Sequence, residues 1–216
     1  MKRFAIAPLT ALAVVLLAAP LMAQMDNSAT PPNVPANPRS FLVAGGGSLT
    51  TLFAGNNGFA GNTFDIENVG TQPVTILSWD INCTPGPNPL ETVTVYWKVG
   101  TAVGNENNPG AWTLMGVDSN VTCAGLDLPT PVAVGGVTLN PGDLFGFYID
   151  LTSYDGINLL NYTNGGPNTY TNPEIELTSN TGQSSPAFGG SFFPRIWNGT
   201  VYYDIVPVEL QSFDIE

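Results

Sequence analysis

The chain has 216 residues, 17 acidic and five basic, with no histidine, so its formal net charge at neutral pH is −12. That balance repels phosphate backbones and anionic membrane surfaces, which argues against nucleic acid as a partner. The missing imidazoles remove Ser-His-Asp and Cys-His nucleophile systems and the usual histidine metal sites, and a hydrophobic fraction of 43% is too high for a disordered chain.

Met1-Lys2-Arg3 is basic, Phe4 to Ala19 is apolar, and Pro20-Leu21-Met22-Ala23 is a short exit. This pattern predicts a secretory signal peptide over residues 1–23, cut after Ala23. The alternative is an uncleaved membrane anchor, for which the run is short against the roughly 20 residues a bilayer span needs. Cleavage leaves three basic residues, Arg39, Lys98 and Arg195, against 17 acids, a net charge of −14. The mature protein is expected to be secreted, in the extracellular space or at the cell surface, with no membrane insertion after cleavage. Residues 24–40 carry Pro31, Pro32, Pro35 and Pro38 among Asn, Ser and Ala, a composition that reads as an extended tether. One domain is expected over residues 41–216.

Within it, short alternating runs and turn signals follow one another, the pattern of an all-β antiparallel β-sandwich of jelly-roll type with about ten strands. Thr63 to Val69 sets Phe64 and Ile66 against Asp65 and Glu67, and Val74 to Ile81 sets Leu77, Trp79 and Ile81 on one face. Thr92 to Val99 alternates most cleanly. Val93, Val95, Trp97 and Val99 form an inward set, and Thr92, Thr94, Tyr96 and Lys98 a wetted one. Trp112 to Val117 is the next strand; Trp79, Trp97 and Trp112 are assigned to the core. Val132 to Leu139 and Asp143 to Leu151 read as a pair across the turn Asn140-Pro141-Gly142, with Phe145, Phe147, Ile149 and Leu151 inward. Shorter strands are predicted at Leu159 to Thr163 and Glu174 to Thr178. Gly165 to Pro194, rich in Gly, Asn, Ser and Pro, reads mainly as long loops at one end, where binding residues usually sit. Arg195 to Tyr203 reads as a hairpin over Asn198-Gly199 or as one long strand with a glycine bulge. A last strand covers Val206 to Phe213.

Cys83 and Cys123 are the only cysteines. An even count in an exported chain favours a disulfide between them; the alternative is two buried free thiols.

Several segments carry a resemblance. Thr51-Leu-Phe-Ala-Gly-Asn-Asn-Gly-Phe-Ala-Gly-Asn-Thr-Phe-Asp-Ile, Val93-Thr-Val-Tyr-Trp-Lys-Val-Gly, Ala111-Trp-Thr-Leu, Gly146-Phe-Tyr-Ile, Leu160-Asn-Tyr-Thr-Asn-Gly and Pro194-Arg-Ile-Trp-Asn-Gly-Thr-Val-Tyr-Tyr resemble an uncharacterised β-sandwich domain of secreted and surface proteins of bacteria. Pro207-Val-Glu-Leu-Gln-Ser-Phe is similar to the junction that leads, in such proteins, into a further domain or a C-terminal sorting region. The resemblance implies fold and location and carries no catalytic residues.

Without histidine, catalysis would fall to carboxylates. Asp65 with Glu67, and Glu174 with Glu176, share strand faces at i, i+2, a spacing that could serve a glycoside hydrolase; alternating acids are also the ordinary solvent face of a strand. Calcium is the metal these oxygens would take. Its candidate ligands are Asp118, Asp127, Asp150 and Asp155, in or beside loops rich in Asn and Gly, with solvated acids as the plain alternative. For sugars, Tyr96, Tyr154, Tyr162, Tyr170, Tyr202 and Trp197 are the candidate stacking rings, since pyranose faces are apolar and their edges polar. Asn82, Asn120, Asn161 and Asn198 stand in Asn-x-Ser/Thr acceptors.

The expected function is therefore a non-catalytic, extracellular binding or adhesion module that recognises a glycan or protein ligand through end loops and exposed aromatics, needing no cofactor beyond a structural calcium. The alternative is a structural subunit of a surface layer or fibre, a homo-oligomer assembled by strand addition. A carboxylate-dependent glycoside hydrolase stands behind both.

Overall fold

The computed structural model describes residues 46–166 and 168–206. The expected signal peptide, the tether, the start of the domain at Phe41 and the Pro207 to Phe213 tail lie outside them. In chain order the strands are β1 (Gly46–Thr50), β2 (Asn57–Phe59), β3 (Gly61–Asn68), β4 (Val74–Thr84), β5 (Glu91–Val99), β6 (Thr113–Val121), β7 (Pro129–Val132), β8 (Thr138–Leu139), β9 (Leu144–Leu151), β10 (Leu159–Asn164), β11 (Thr169–Thr171), β12 (Ile175–Gln183), β13 (Ser191–Phe192), β14 (Arg195–Trp197) and β15 (Gly199–Ile205). Ten of these have four residues or more; the strand expected over Val206 to Phe213 reaches beyond the described residues, and β1, β2, β11 and β13 are strands that no periodicity announces.

Two antiparallel sheets pack face to face. One runs β1-β15-β4-β10-β14, with β2 on β10 and β7 and β8 on β4; the other runs β11-β12-β3-β9-β5-β6, with β13 on β12. The core between them is built from the inward sets, led by Phe64, Trp79, Phe147 and Trp197, all fully buried. Phe64 stacks on Trp197 at 4.3 Å between ring centroids, and Trp79 meets Phe147 at 5.2 Å and Phe64 at 5.8 Å. The high threonine content has a structural use. Thr50 and Thr200, Thr63 and Thr181, Thr75 and Thr138, and Thr169 and Thr178 stand directly opposite across strand pairs with hydroxyls in hydrogen-bond contact.

Cys83 and Cys123 form the expected disulfide, with Cα atoms 5.1 Å apart. Cys83 lies in β4 and Cys123 just beyond β6, so the bond ties one sheet to the other. Closing a separation of 40 residues stabilises the fold by up to about 4 kcal/mol on the chain-entropy account.

Two expectations are corrected and two are sharpened. Leu77 is half exposed, while Ile76, Trp79 and Ile81 are buried. The register slips between Tyr202 facing Ser78 and Tyr203 facing Ile76, so Leu77 is the extra residue of a β-bulge that reverses the inward parity of β4. Val132 to Leu139 and Asp143 to Leu151 do not pair: β7 and β8 add to β4 in one sheet and β9 lies in the other. Between β7 and β8 the chain runs so close to β4 that a β-carbon on Gly135 would stand 2.2 Å from the Leu77 carbonyl oxygen. Of the two readings of Arg195 to Tyr203, the hairpin falls and the single run is nearer: β14 and β15 run on in one direction, changing partner from β10 to β4 at Asn198. Finally, the strand expected over Glu174 to Thr178 is present and runs on to Gln183 as β12, so less of Gly165 to Pro194 is loop than expected.

The bulge makes a test. Ile76→Ala should lower unfolding free energy by about 2–5 kcal/mol, whereas Leu77→Ala should stay within about 0.5 kcal/mol. Urea midpoints measure both, and equal losses would contradict the register.

Candidate functional site

At the end of the sandwich where β9 stops and β5 starts, the chain from Thr152 to Asn158 is organised around one carboxylate. Glu91, 1% exposed, accepts hydrogen bonds from Ser153 Oγ at 2.5 Å, Asn158 Nδ2 at 2.6 Å and the Gly86 N–H at 3.2 Å. Asn158 Nδ2 also donates to the Ser153 carbonyl, and its Oδ1 receives the Asp155 N–H. Asp155 in turn accepts from the Ile157 and Asn158 N–H groups. A buried acid with its oxygens so filled fixes a loop rather than serving as a reactive group.

That fixed loop presents Tyr154. Its ring stacks on Phe59 at 5.0 Å, and Phe59 lies 5.8 Å from Phe192. Phe193 and Ile157 beside them are more than 60% exposed. Phe59 closes β2 and Ala60 carries the chain from one sheet to the other, which is why these rings meet at the rim. On β2 two residues before Phe59, Asn57 donates to Asn164 Oδ1 at 3.1 Å, and this amide pair is exposed.

The outer face of the second sheet holds another cluster. The position expected to be wetted, Tyr96, is half-buried, and its neighbour Thr94 is buried. Tyr96, Tyr148 and Trp112 are roofed by the segment after β5, through Ala102, and by Phe188 from the β12–β13 loop. Tyr148 donates to Asp150 Oδ1 at 3.1 Å and Thr152 Oγ1 to Asp150 Oδ2 at 2.9 Å. Burial pushes the Asp150 carboxyl above its ordinary range against the lowering pull of those two hydroxyls, and burial pushes the Tyr148 hydroxyl up as well. Asp65, on the same face, accepts from the Thr101 hydroxyl at 2.5 Å and the Ala102 N–H at 2.7 Å; burial raises it too. Across the sheet Asp150 faces Gly61 and Thr94, and along its strand Tyr148 and Thr152. The positions a second catalytic carboxylate would need at strand spacing carry no acid.

The other sequence-nominated rings fall elsewhere. Trp197 is fully buried and Tyr162 is 2% exposed, so neither can stack on a ligand at the surface; inward parity places Trp197 in the core, and the Arg195 guanidinium covers the Tyr162 ring at 5.7 Å. Tyr170 is half-buried against the core. Tyr202 is exposed, its hydroxyl donating to Asp80 Oδ2 at 2.7 Å. Of the tryptophans assigned to the core, Trp79 is there, Trp97 is half-buried at its margin, and Trp112 belongs to the outer cluster. Val99, expected inward, is 70% exposed at the end of β5.

The four nominated calcium ligands are not brought together. Asp118 accepts from the Asn120 and Ala133 N–H groups, Asp127 from the Gly55 N–H and Asn82 Nδ2, and Asp150 and Asp155 are bonded as above. Among the described residues no group of three acids or cysteines is placed to hold a metal ion. Asn82, Asn161 and Asn198 are buried where β10 wedges between β4 and β14, leaving Asn120 as the exposed acceptor of the four. Glu174 accepts from the Tyr203 hydroxyl at 3.1 Å beside an open cleft of about 270 Å³ between Val69–Gln72 and Pro173; burial pushes that hydroxyl up to about 12.

The sequence reading missed Phe59, Phe188, Phe192 and Glu91. Tyr148 was legible as the outward partner of Phe147 and Ile149. Glu91, Phe188 and Phe192 stand beside or within Pro- and Gly-rich stretches where no periodicity assigns a face. No protein-family model matches the chain, and no curated protein sequence does.

Two measurements follow from these contacts. Glu91→Ala strands the Asn158 and Ser153 donors and should cost about 1–3 kcal/mol in urea unfolding, with faster proteolysis inside residues 152–158. Asp65 and Asp150 hold a proton more tightly folded than unfolded. Their stabilising contribution is therefore complete below the ordinary value of 3.8 and is lost as pH rises through the raised value. Asp150→Asn should accordingly flatten the fall in melting temperature as pH rises above 3.8, relative to the unaltered chain; parallel profiles would contradict the burial of this charge.

Proposed function

We propose that the protein is an exported, non-catalytic recognition module that binds neutral glycan chains through the rings of Phe59, Tyr154 and Phe192. The observation that carries this is the stacked pair Phe59 and Tyr154 on a loop held by Glu91. Rings fixed before binding lose little freedom on meeting a ligand; their faces suit the apolar face of a pyranose, and the exposed Asn57 and Asn164 amides suit its hydroxyl edge. Neutrality follows from charge. Lys98 and Arg195 are the basic side chains among the described residues. Lys98 Nζ is held by the Val99 and Thr101 carbonyls, and Arg195 by the Pro194 carbonyl and the Tyr162 ring. Among the described residues an anionic polysaccharide would meet an acidic surface with no released cation. The satisfied oxygens of Glu91 and the acid-free neighbours of Asp150 favour binding over hydrolysis.

A structural-subunit role is the second reading, favoured by β6. It is the edge strand of its sheet and exposes Leu114 and Val117, each more than half accessible, the kind of edge that accepts another strand.

Affinity electrophoresis through gels containing neutral polysaccharides, beside a glycan array, tests the first reading. The unaltered chain should be retarded by at least one such polymer, and Tyr154→Ala and Phe59→Ala should each weaken binding about tenfold or more. Retardation that survives both substitutions would sink it, and oligomers by light scattering would favour the second reading.

A further inference from the structure

Phe188 stands apart in its backbone from the other aromatic residues among those described. Its φ of +64° is the left-handed conformation, which a residue with a bulky side chain rarely adopts and which tends to mark functional strain. The strain holds its ring over the outer-face cluster, 5.0 Å from Tyr148, 5.1 Å from Tyr96 and 6.4 Å from Trp112. Those three rings come from separate elements and also contact one another, with Tyr148 lying 5.8 Å from Tyr96 and 6.0 Å from Trp112. Trp112 is fixed by its indole N–H on the Asn105 carbonyl at 2.9 Å.

We propose that Tyr96, Trp112 and Tyr148, with the Asp150 carboxylate beside them, form a binding site for a quaternary or methylated ammonium group, closed in the free protein by the Phe188 ring. Three electron-rich rings gathered with Tyr148 at their centre are the arrangement that attracts such a cation. Asp150 lies beside them, its Oδ1 accepting from the Tyr148 hydroxyl at 3.1 Å, and a cation seated on the rings would draw its carboxyl toward the charged form. Lys98, next on the same face of β5, does not compete, because it is tied to two carbonyls. Phe188 imitates the ligand. It meets Tyr148 at 84° and Tyr96 at 65°, packing that uses the attraction of a positive ring edge for a negative ring face; an ammonium group satisfies that attraction more strongly. The space of a phenyl ring is close to that of a tetramethylammonium head.

The lid can open without loss of the sheet. Its loop is pinned at the base by the Ser184 N–H on the Gly190 carbonyl and carries a turn in which the Gly189 N–H donates to the Pro186 carbonyl, both at 2.9 Å. Rotation at Phe188 and the two following glycines withdraws the ring and relieves the positive φ, leaving the β12 ladder to β3 intact. This site is separate from the Phe59 and Tyr154 rings, and its failure would leave the glycan reading standing.

Choline and its neutral isostere 3,3-dimethylbutan-1-ol are the probes, titrated by calorimetry into the full chain and into Phe188→Ala, with circular dichroism confirming the fold. Phe188→Ala should bind choline saturably and at least tenfold more tightly than the unaltered chain, and should prefer choline to the isostere at least tenfold. Adding Tyr148→Leu or Asp150→Asn should reduce that affinity about tenfold. If Phe188→Ala does not fold, Phe188→Leu, which keeps more of the packing, replaces it. Absence of saturable choline binding to the folded variant overturns the proposal, as does equal binding of choline and isostere, which would identify an apolar void.

Discussion

Phe64 and Trp197 lie face to face between the sheets, 4.3 Å apart at their centroids, with Trp79 nearly perpendicular to both and Phe147 completing the group. Each ring of this kind removes about 150–250 Å² from water, a gain of about 4–6 kcal/mol at 25 cal/mol per Å². That outweighs the about 1–3 kcal/mol for leaving the buried Trp79 and Trp197 indole N–H groups without acceptors among the described residues. The four residues come from β3, β4, β9 and β14, so they fix how far apart the sheets stand and in which register they face. The Cys83–Cys123 bond then secures the same sheets at the end where the Glu91 loop is built.

The second sheet is covered on both sides, and this sets the character of the surface. Gly61 lets the Tyr148 ring lie flat, since a β-carbon there would stand 2.6 Å from it, and Gly146 admits Ala102, whose nitrogen would be 2.7 Å from such a carbon. Covering the outer face forces polar side chains inward, and each of the acids there is matched to donors: Asp65 to Thr101 and Ala102, Asp150 to Tyr148 and Thr152. The same economy sets the rings proposed for recognition at the rim, where Tyr154 is half-buried against the edge of the core and Phe59 and Phe192 lie outside both clusters. A rigid sandwich carrying aromatic side chains on pinned loops suits binding with little rearrangement.

Alternation by itself determined the all-β class, the main strands β3, β4, β5, β9 and β10, and most of the inward set, because a period of two leaves little freedom about which side chains meet the core. The even cysteine count in a chain with an export pattern favoured the disulfide, and the fold brings Cys83 and Cys123 together to form it. Only the tertiary structure decided the rest. One inserted residue, Leu77, reversed the parity of β4 with no mark in the sequence. Partner choice across the Asn140-Pro141-Gly142 turn depended on which sheet had a free edge, a property of the assembled sandwich. Tyr96 and Tyr154 were legible as aromatic positions outside the main core, but Trp197 and Tyr162 were not legible as buried ones, and Phe188 and Glu91 gave no signal. Their placement is set by loops folding back from distant parts of the chain, and contacts of that kind leave no periodicity in the segments that make them.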